Sequence, residues 1–290
     1  MNDRRQYLLE LAKRNVKAYT ANSKVKAAMV TGSVAEGLCD EYSDIDMSIY
    51  YSDLPTDEEL QIARQQNQGS EPLWVIGDRS DGGFAEAYLV NGVECQFGHV
   101  TIAQWEQDIA NILEKFDVKT PLMKAMSGTL ICIPLYNEIL IQQWKAKVAE
   151  YPDALAQAMV EQHLHFFPLW GVQQHLAERD ATLFYYQVLV EAAQNLLGVL
   201  SGLNRLYYST FQFKRMRRFV EQMSIAPKNV ADRIENLFHA APDPAADRLE
   251  ELVQETLDLV DIHMPQVDTS LAKRRLGWRQ QPWQLPPEKS

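Results

Sequence analysis

The stretch VTGSVAEGLCDEYSDIDMSIYY, Val30–Tyr51, carries the densest pattern in the chain. An apolar run over Val25–Thr31 stops at Gly32-Ser33, which reads as a buried strand entering a tight turn. A second strand is predicted over Asp44–Tyr51, with Ile45, Met47, Ile49 and Tyr51 on one face. Residues two apart on a strand share a face, so Asp44 and Asp46 present two carboxylates side by side. Carboxylates that close repel unless a cation lies between them, and Mg²⁺ takes carboxylate and phosphate oxygens together. Glycine lets the backbone approach a phosphate closely, and the amides of such a turn, with the Ser33 hydroxyl, can donate to its oxygens.

Outward from this stretch, the clearest local signal is a hairpin. Ala85–Val90 and Val93–Val100 flank Asn91-Gly92, the preferred two-residue turn between antiparallel strands. Its second arm alternates Val93, Cys95 and Phe97 with Glu94 and Gln96. A charge inside an apolar sheet is costly unless paired or bound to metal. If this arm lies beside the Asp44 strand, Glu94 faces the same cleft as a third carboxylate. An opening helix is predicted from Tyr7, Leu8, Leu11 and Val16. Capping boxes at Thr56/Glu59 and Thr101/Gln104 start helices expected to run to about Gln66 and Phe116. Thr129–Tyr136 is a further strand candidate.

After about Tyr151 the strand signals stop. Leu249, Leu252, Val253, Thr256, Leu257 and Val260 follow one helix face, and Asp180–Tyr208 is apolar nearly all round, as the central helix of a bundle would be. Pro227, Pro242 and Pro244 punctuate the helices around it. From Pro265 the chain carries Trp278, Trp283, Pro282, Pro286 and Pro287 without a period, as an extended tail. The expected class is α+β: a mixed sheet with flanking helices over 1–150, a helical bundle over 151–264 and a tail over 265–290, with the site between the two halves.

The 290 residues carry a formal charge of −11, which argues against general nucleic-acid binding through a basic field. Cys39, Cys95 and Cys132 form no CxxC pair and are odd in number, as expected of free thiols in a reducing compartment. Val188–Leu203, the most apolar stretch, is interrupted by Glu191, Gln194 and Asn195 and is too short to span a bilayer. A cytoplasmic protein without membrane partners is expected.

Gly-Ser, about ten residues, then Tyr-Ser-Asp-Ile-Asp resembles the signature of the DNA polymerase β-like nucleotidyltransferase superfamily. Within it the chain is most similar to the small-molecule branch, the aminoglycoside and lincosamide nucleotidyltransferases, and to uncharacterised bacterial relatives. The resemblance is strongest over residues 25–51, extends to about 136, and is architectural over the helical half. It implies Gly32 and Ser33 against a triphosphate, Asp44 and Asp46 as ligands of two Mg²⁺ ions, and Glu94 as the third acidic position, ligand or general base. The implied reaction transfers AMP from ATP to a hydroxyl of a small-molecule acceptor and releases pyrophosphate. Val34–Tyr42 lacks the Lys or Arg that many members carry there, so the triphosphate would draw on cations elsewhere, such as Arg205 and Lys214. Two other outcomes fit the same residues: adenylylation of a protein or an RNA end, and a nucleotide-binding sensor or scaffold without turnover. Neither acceptor, nucleobase nor oligomeric state is legible.

Several residues have plainer readings. The basic run at Lys214, Arg215, Arg217 and Arg218 is most simply a solvated helix face, and Lys273–Arg275 plain surface. His163 and His165, two apart in a helical region, lack the spacing of a metal pair. Tyr185, Tyr186, Tyr207 and Tyr208 are expected to pack the bundle, and Cys39 to be a small loop residue. Glu191 could contact an amino-bearing acceptor or pair with Arg205 or a tyrosine hydroxyl.

Overall fold

The computed structural model describes residues 3–119 and 121–284. The chain divides into two compact units, residues 1–150 and 151–290. The first is α+β. It runs α1 (Asp3–Thr20), β1 (Val25–Val30), α2 (Gly32–Glu36), β2 (Ile45–Tyr51), α3 (Asp57–Gln66), β3 (Trp74–Ile76), β4 (Gly83–Val90), β5 (Val93–Thr101), α4 (Ile102–Leu113), α5 (Met123–Ile131), β6 (Ile133–Tyr136) and α6 (Glu138–Ala149). The six strands form one mixed sheet in the order β3-β4-β5-β2-β1-β6. Only β2 and β5 pair in parallel, with Ile45 opposite Cys95 and Asp46 opposite Gln96; the other pairs are antiparallel.

One face of this sheet is the core. Leu8, Leu11, Ala12, Val16 and Tyr19 recur at helical spacing along α1 and are buried against Ile45, Met47, Ile49 and Tyr51 of β2 and Cys95 and Phe97 of β5. Fully burying a side chain such as Ile45 or Ile49 contributes about 2 kcal/mol, so strand register is strongly held. The other face carries an aromatic cluster at one end. There Tyr50 packs against Trp105 of α4 and Trp144 of α6, with ring centroids 5.6 and 4.6 Å away. Of the four residues from which α1 was expected, Leu8, Leu11 and Val16 are buried and Tyr7 is 49% exposed.

The Thr56/Glu59 capping box is complete. At Thr101 half of the box forms: the threonine accepts from Gln104 N, but the Gln104 side chain turns to Asp108. Helix α4 ends at Leu113, and Phe116 lies beyond it in a left-handed conformation. The predicted strand over Thr129–Tyr136 is half helix. Thr129 Oγ1 donates to Ala125 O at 2.8 Å one turn back, α5 continues to Ile131, and Cys132 breaks to extended geometry before β6. A short apolar run does not distinguish a buried helix end from a strand.

The second unit contains α7 (Asp153–His163), α8 (Leu169–Ala177), α9 (Thr182–Leu203), α10 (Met216–Val220), α11 (Val230–His239), α12 (Pro242–His263) and α13 (Ser270–Arg275). Leu249, Leu252, Val253, Thr256, Leu257 and Val260 of α12 are all buried. Helices α7 and α9 cross closely at Gly198 and Gly202, where a Cβ would meet the His163 ring and Val160. Helix α9 is central only in its second half: burial is nearly continuous from Ala192 to Leu203, whereas Leu183, Phe184, Tyr186 and Val190 are exposed. The segment after Pro265 contains α13 and folds back, with Trp170 Nε1 donating to Arg275 O and Gln280 N to Gly171 O. Pro286 and Pro287 lie outside the described residues. No described helix is long and apolar enough to cross a membrane.

Candidate active site

Because β2 and β5 run in parallel and in register, the pleat sends Asp44, Asp46 and Ser48 to the same side as Glu94, Gln96 and Gly98. Cys95, Phe97 and Ile45 go to the core. The carboxylates thus occupy the half-exposed end of the face that Tyr50 closes at its other end.

Gln96 stands between two of the acids. Its Nε2 donates to Asp44 Oδ2 at 2.8 Å and to Glu94 Oε1 at 3.2 Å. Two carboxylates held by one nitrogen repel by roughly 1–3 kcal/mol at this half-solvated depth, and the amide offsets part of that. Glu94 Oε1 also accepts from Trp74 Nε1 of the edge strand β3, at 3.3 Å. Its orientation is therefore set from two sides.

Gly32 and Ser33, expected in a plain turn, open the short helix α2 instead. Gly32 has φ +59°, and a Cβ there would lie 2.0 Å from Asp46 Oδ2. The Asp46 carboxylate thus rests in the space that only glycine leaves. Thr31 N donates to Asp46 O at 2.9 Å, which ties the turn to β2. Ser33 Oγ is buried without a hydrogen-bond partner from the protein, so it is free to donate to a ligand oxygen. Arg5 fixes the turn from below, donating to Val34 O and Ala35 O. Cys39 is buried, its thiol against Ser33 O.

These residues fit a hard divalent cation and a phosphate. Asp44 and Asp46 supply oxygen donors on one face, Gly32 leaves room for the Asp46 carboxylate beside the turn, and the Ser33 hydroxyl belongs to the same turn. Glu94 lies on the same side as Asp44 and Asp46, held by Gln96 and Trp74. Among the described residues no three His, Cys, Asp or Glu side chains converge as a metal group.

Residues 10–126 match the nucleotidyltransferase domain family. The matched segment contains Gly32, Ser33, Asp44, Asp46 and Glu94, and it supports the superfamily and nucleotidyl transfer as the general chemistry. No curated protein matches the chain. Among solved structures, a nucleotidyltransferase-like protein from Exiguobacterium sibiricum is similar at 12% identity and a TM-score of 0.39, covering 90% of this chain and 81% of that one.

Arg205 and Lys214 belong to the second unit. The Arg205 guanidinium donates to Asp153 Oδ1, through Nε at 3.1 Å and Nη2 at 2.5 Å, and Lys214 Nζ lies 5.7 Å from the centre of the Phe211 ring. Glu191 is exposed and accepts from Gln187, so the alternative pairing with Arg205 does not form. His163 is half-buried and bonded to Asn195, and desolvation holds its pKa below the usual value. Tyr185, Tyr207 and Tyr208 are buried as expected of bundle packing, but Tyr186 is 47% exposed. Sequence reading passed over Gln96 and Trp74. The alternation that singled out Glu94 gave Gln96 the same face, and that was the signal available.

Proposed function

We propose that this chain transfers a nucleoside monophosphate, AMP from ATP, to a hydroxyl of a small-molecule acceptor and releases pyrophosphate. The observation that carries the reading is the placement of Asp44 and Asp46 on the open face of β2, with Asp46 against Gly32 and Glu94 on the parallel neighbour. The α2 turn and the Ser33 hydroxyl hold phosphate oxygens. Asp44 and Asp46 would hold Mg²⁺, which would supply positive charge to offset that of the phosphates and the leaving group. Glu94, oriented by Trp74 and Gln96, accepts the proton of the attacking hydroxyl. Gln96, which donates to both Asp44 and Glu94, offsets part of their mutual repulsion.

Calorimetric titration of a non-hydrolysable ATP analogue with Mg²⁺, into the wild type and Asp46→Asn, tests this. Metal-dependent binding lost in the variant is expected, and an acceptor screen with labelled ATP follows. Silence of the wild type toward all four ribonucleotide analogues, with and without Mg²⁺, would refute the reading.

A further inference from the structure

The basic run at 214–218 is solvated, as expected, but is divided between two short helices. Thr210–Arg215 is 3₁₀-helical and Met216–Val220 is a separate short α-helix. Together they form one wall of a cavity of about 550 Å³ within the second unit. Its floor is apolar, from Val190 and Ala193 of α9 and Ile234 and Phe238 of α11, and Lys214 and Arg218 stand at its rim.

Two features set the sign of its occupant. Four of the five residues at 214–218 are basic in a chain of formal charge −11, so positive charge is concentrated here against the average. The nearby carboxylates of α11, Asp232 and Glu235, are both bonded by Arg217. Among the described residues, that leaves Lys214 and Arg218 without a carboxylate partner. The same two ion pairs brace α10 against α11 and so hold the wall in place. A volume of this size, mostly apolar with a few placed charges, is that of an ordinary small-ligand site. A wholly apolar ligand would bury surface but leave the rim cations facing it; an inorganic anion would meet the cations but leave Val190 and Phe238 wet.

We propose that this cavity binds a small amphipathic anion, an aromatic or aliphatic body with one acidic head group. The body lies on Val190, Ala193, Ile234 and Phe238, and the head meets Lys214 and Arg218. Every residue this inference uses lies in the second unit, and none is among those on which the proposed function rests.

Saturation-transfer NMR titration of the full chain tests it with three probes that share one apolar body: 4-phenylbutyrate, 4-phenylbutyramide and 4-phenylbutylamine. The carboxylate is expected to saturate, the amide to bind at least about tenfold more weakly, and the amine more weakly still. Lys214→Gln with Arg218→Gln should bring the carboxylate down to the amide's affinity and leave the amide unchanged. Val190→Asp, at a half-exposed position where folding tolerates a charge, should abolish carboxylate binding; thermal unfolding confirms that each variant is folded. Asp46→Asn should change nothing, which separates this test from that of the nucleotide site. Equal binding of all three probes, no saturation by the carboxylate up to about 10 mM, or full affinity in the Lys214/Arg218 variant would overturn the proposal. So would displacement of the carboxylate by ATP in Asp46→Asn, which would give the basic run to a triphosphate.

Discussion

Replacing Gly32 by alanine tests the geometry of the candidate site, and Gly37 supplies its control. Both glycines have positive φ, +59° and +76°, and they bracket α2. An L-residue in that region costs about 1–2 kcal/mol, partly offset by the lower entropy of the unfolded chain, so each substitution starts from a net cost of about 1 kcal/mol. At Gly37 the matter ends there, because the nearest atom to a new Cβ is Arg5 Nε at 3.5 Å, an ordinary contact. At Gly32 the new Cβ would lie 2.0 Å from Asp46 Oδ2, which no real contact sustains. The carboxylate must swing away by more than an ångström, off its rotamer, at a further cost of about 1 kcal/mol. Urea unfolding should therefore rank Gly32→Ala about 1 kcal/mol below Gly37→Ala, and both variants should remain folded. Function should separate them far more. A carboxylate misplaced by about 1 Å costs on the order of a hundredfold in a positioned reaction. Calorimetry should show Mg²⁺-dependent nucleotide binding close to wild type in Gly37→Ala and nearly lost in Gly32→Ala. If Gly32→Ala bound Mg²⁺ and nucleotide as the wild type does, the Gly32–Asp46 contact would have no part in the site.

Other substitutions probe other parts of the first unit. Gln96→Leu removes the amide between Asp44 and Glu94; without Mg²⁺ it should lower stability by about 1–2 kcal/mol, and millimolar Mg²⁺ should raise its Tm more than that of the wild type. Burial holds the pKa of His99 below its usual value, against the opposing effect of Glu86. The unfolded chain then binds the proton more readily, so stability should fall as pH drops from 7 toward 5; Tm measured across that range should decline less steeply in His99→Gln. Burial also pushes the Cys95 thiol up to about 12, so at pH 8 it stays protonated. A thiol reagent should therefore reach it only at the rate of unfolding, and fast labelling in native buffer would contradict its place in the core.

Much of the first unit was legible because its signals are periodic and local. Alternation along Ile45–Tyr51 and Val93–Phe97, the Asn91-Gly92 turn and the Thr56 capping box each fix a conformation from a few neighbouring residues. Partner choice between strands was not legible. That β5 lies parallel to β2, rather than only against its hairpin mate β4, follows from how the whole sheet buries its core face. Glu94 could be named from its charge in an apolar alternation, whereas the Gln96 bridge appears only once Asp44 is seen across the strand gap. Thr129–Ile131 misled because three residues hold no period. In the second unit the basic run is solvated as expected, while Phe213 and Met216, between and beside the charges, line the cavity.

The pleat of β2 also bears on how such a protein can change over generations. Ile45, Met47 and Ile49 keep the sheet folded, while Asp44 and Asp46 on its other side take no part in that packing. Substitutions at the acids and at the core positions are therefore subject to different selection. A lineage that ceased to need the chemistry could lose both acids and inherit the same sheet undisturbed, whereas a one-residue slip of β2 would forfeit both at once.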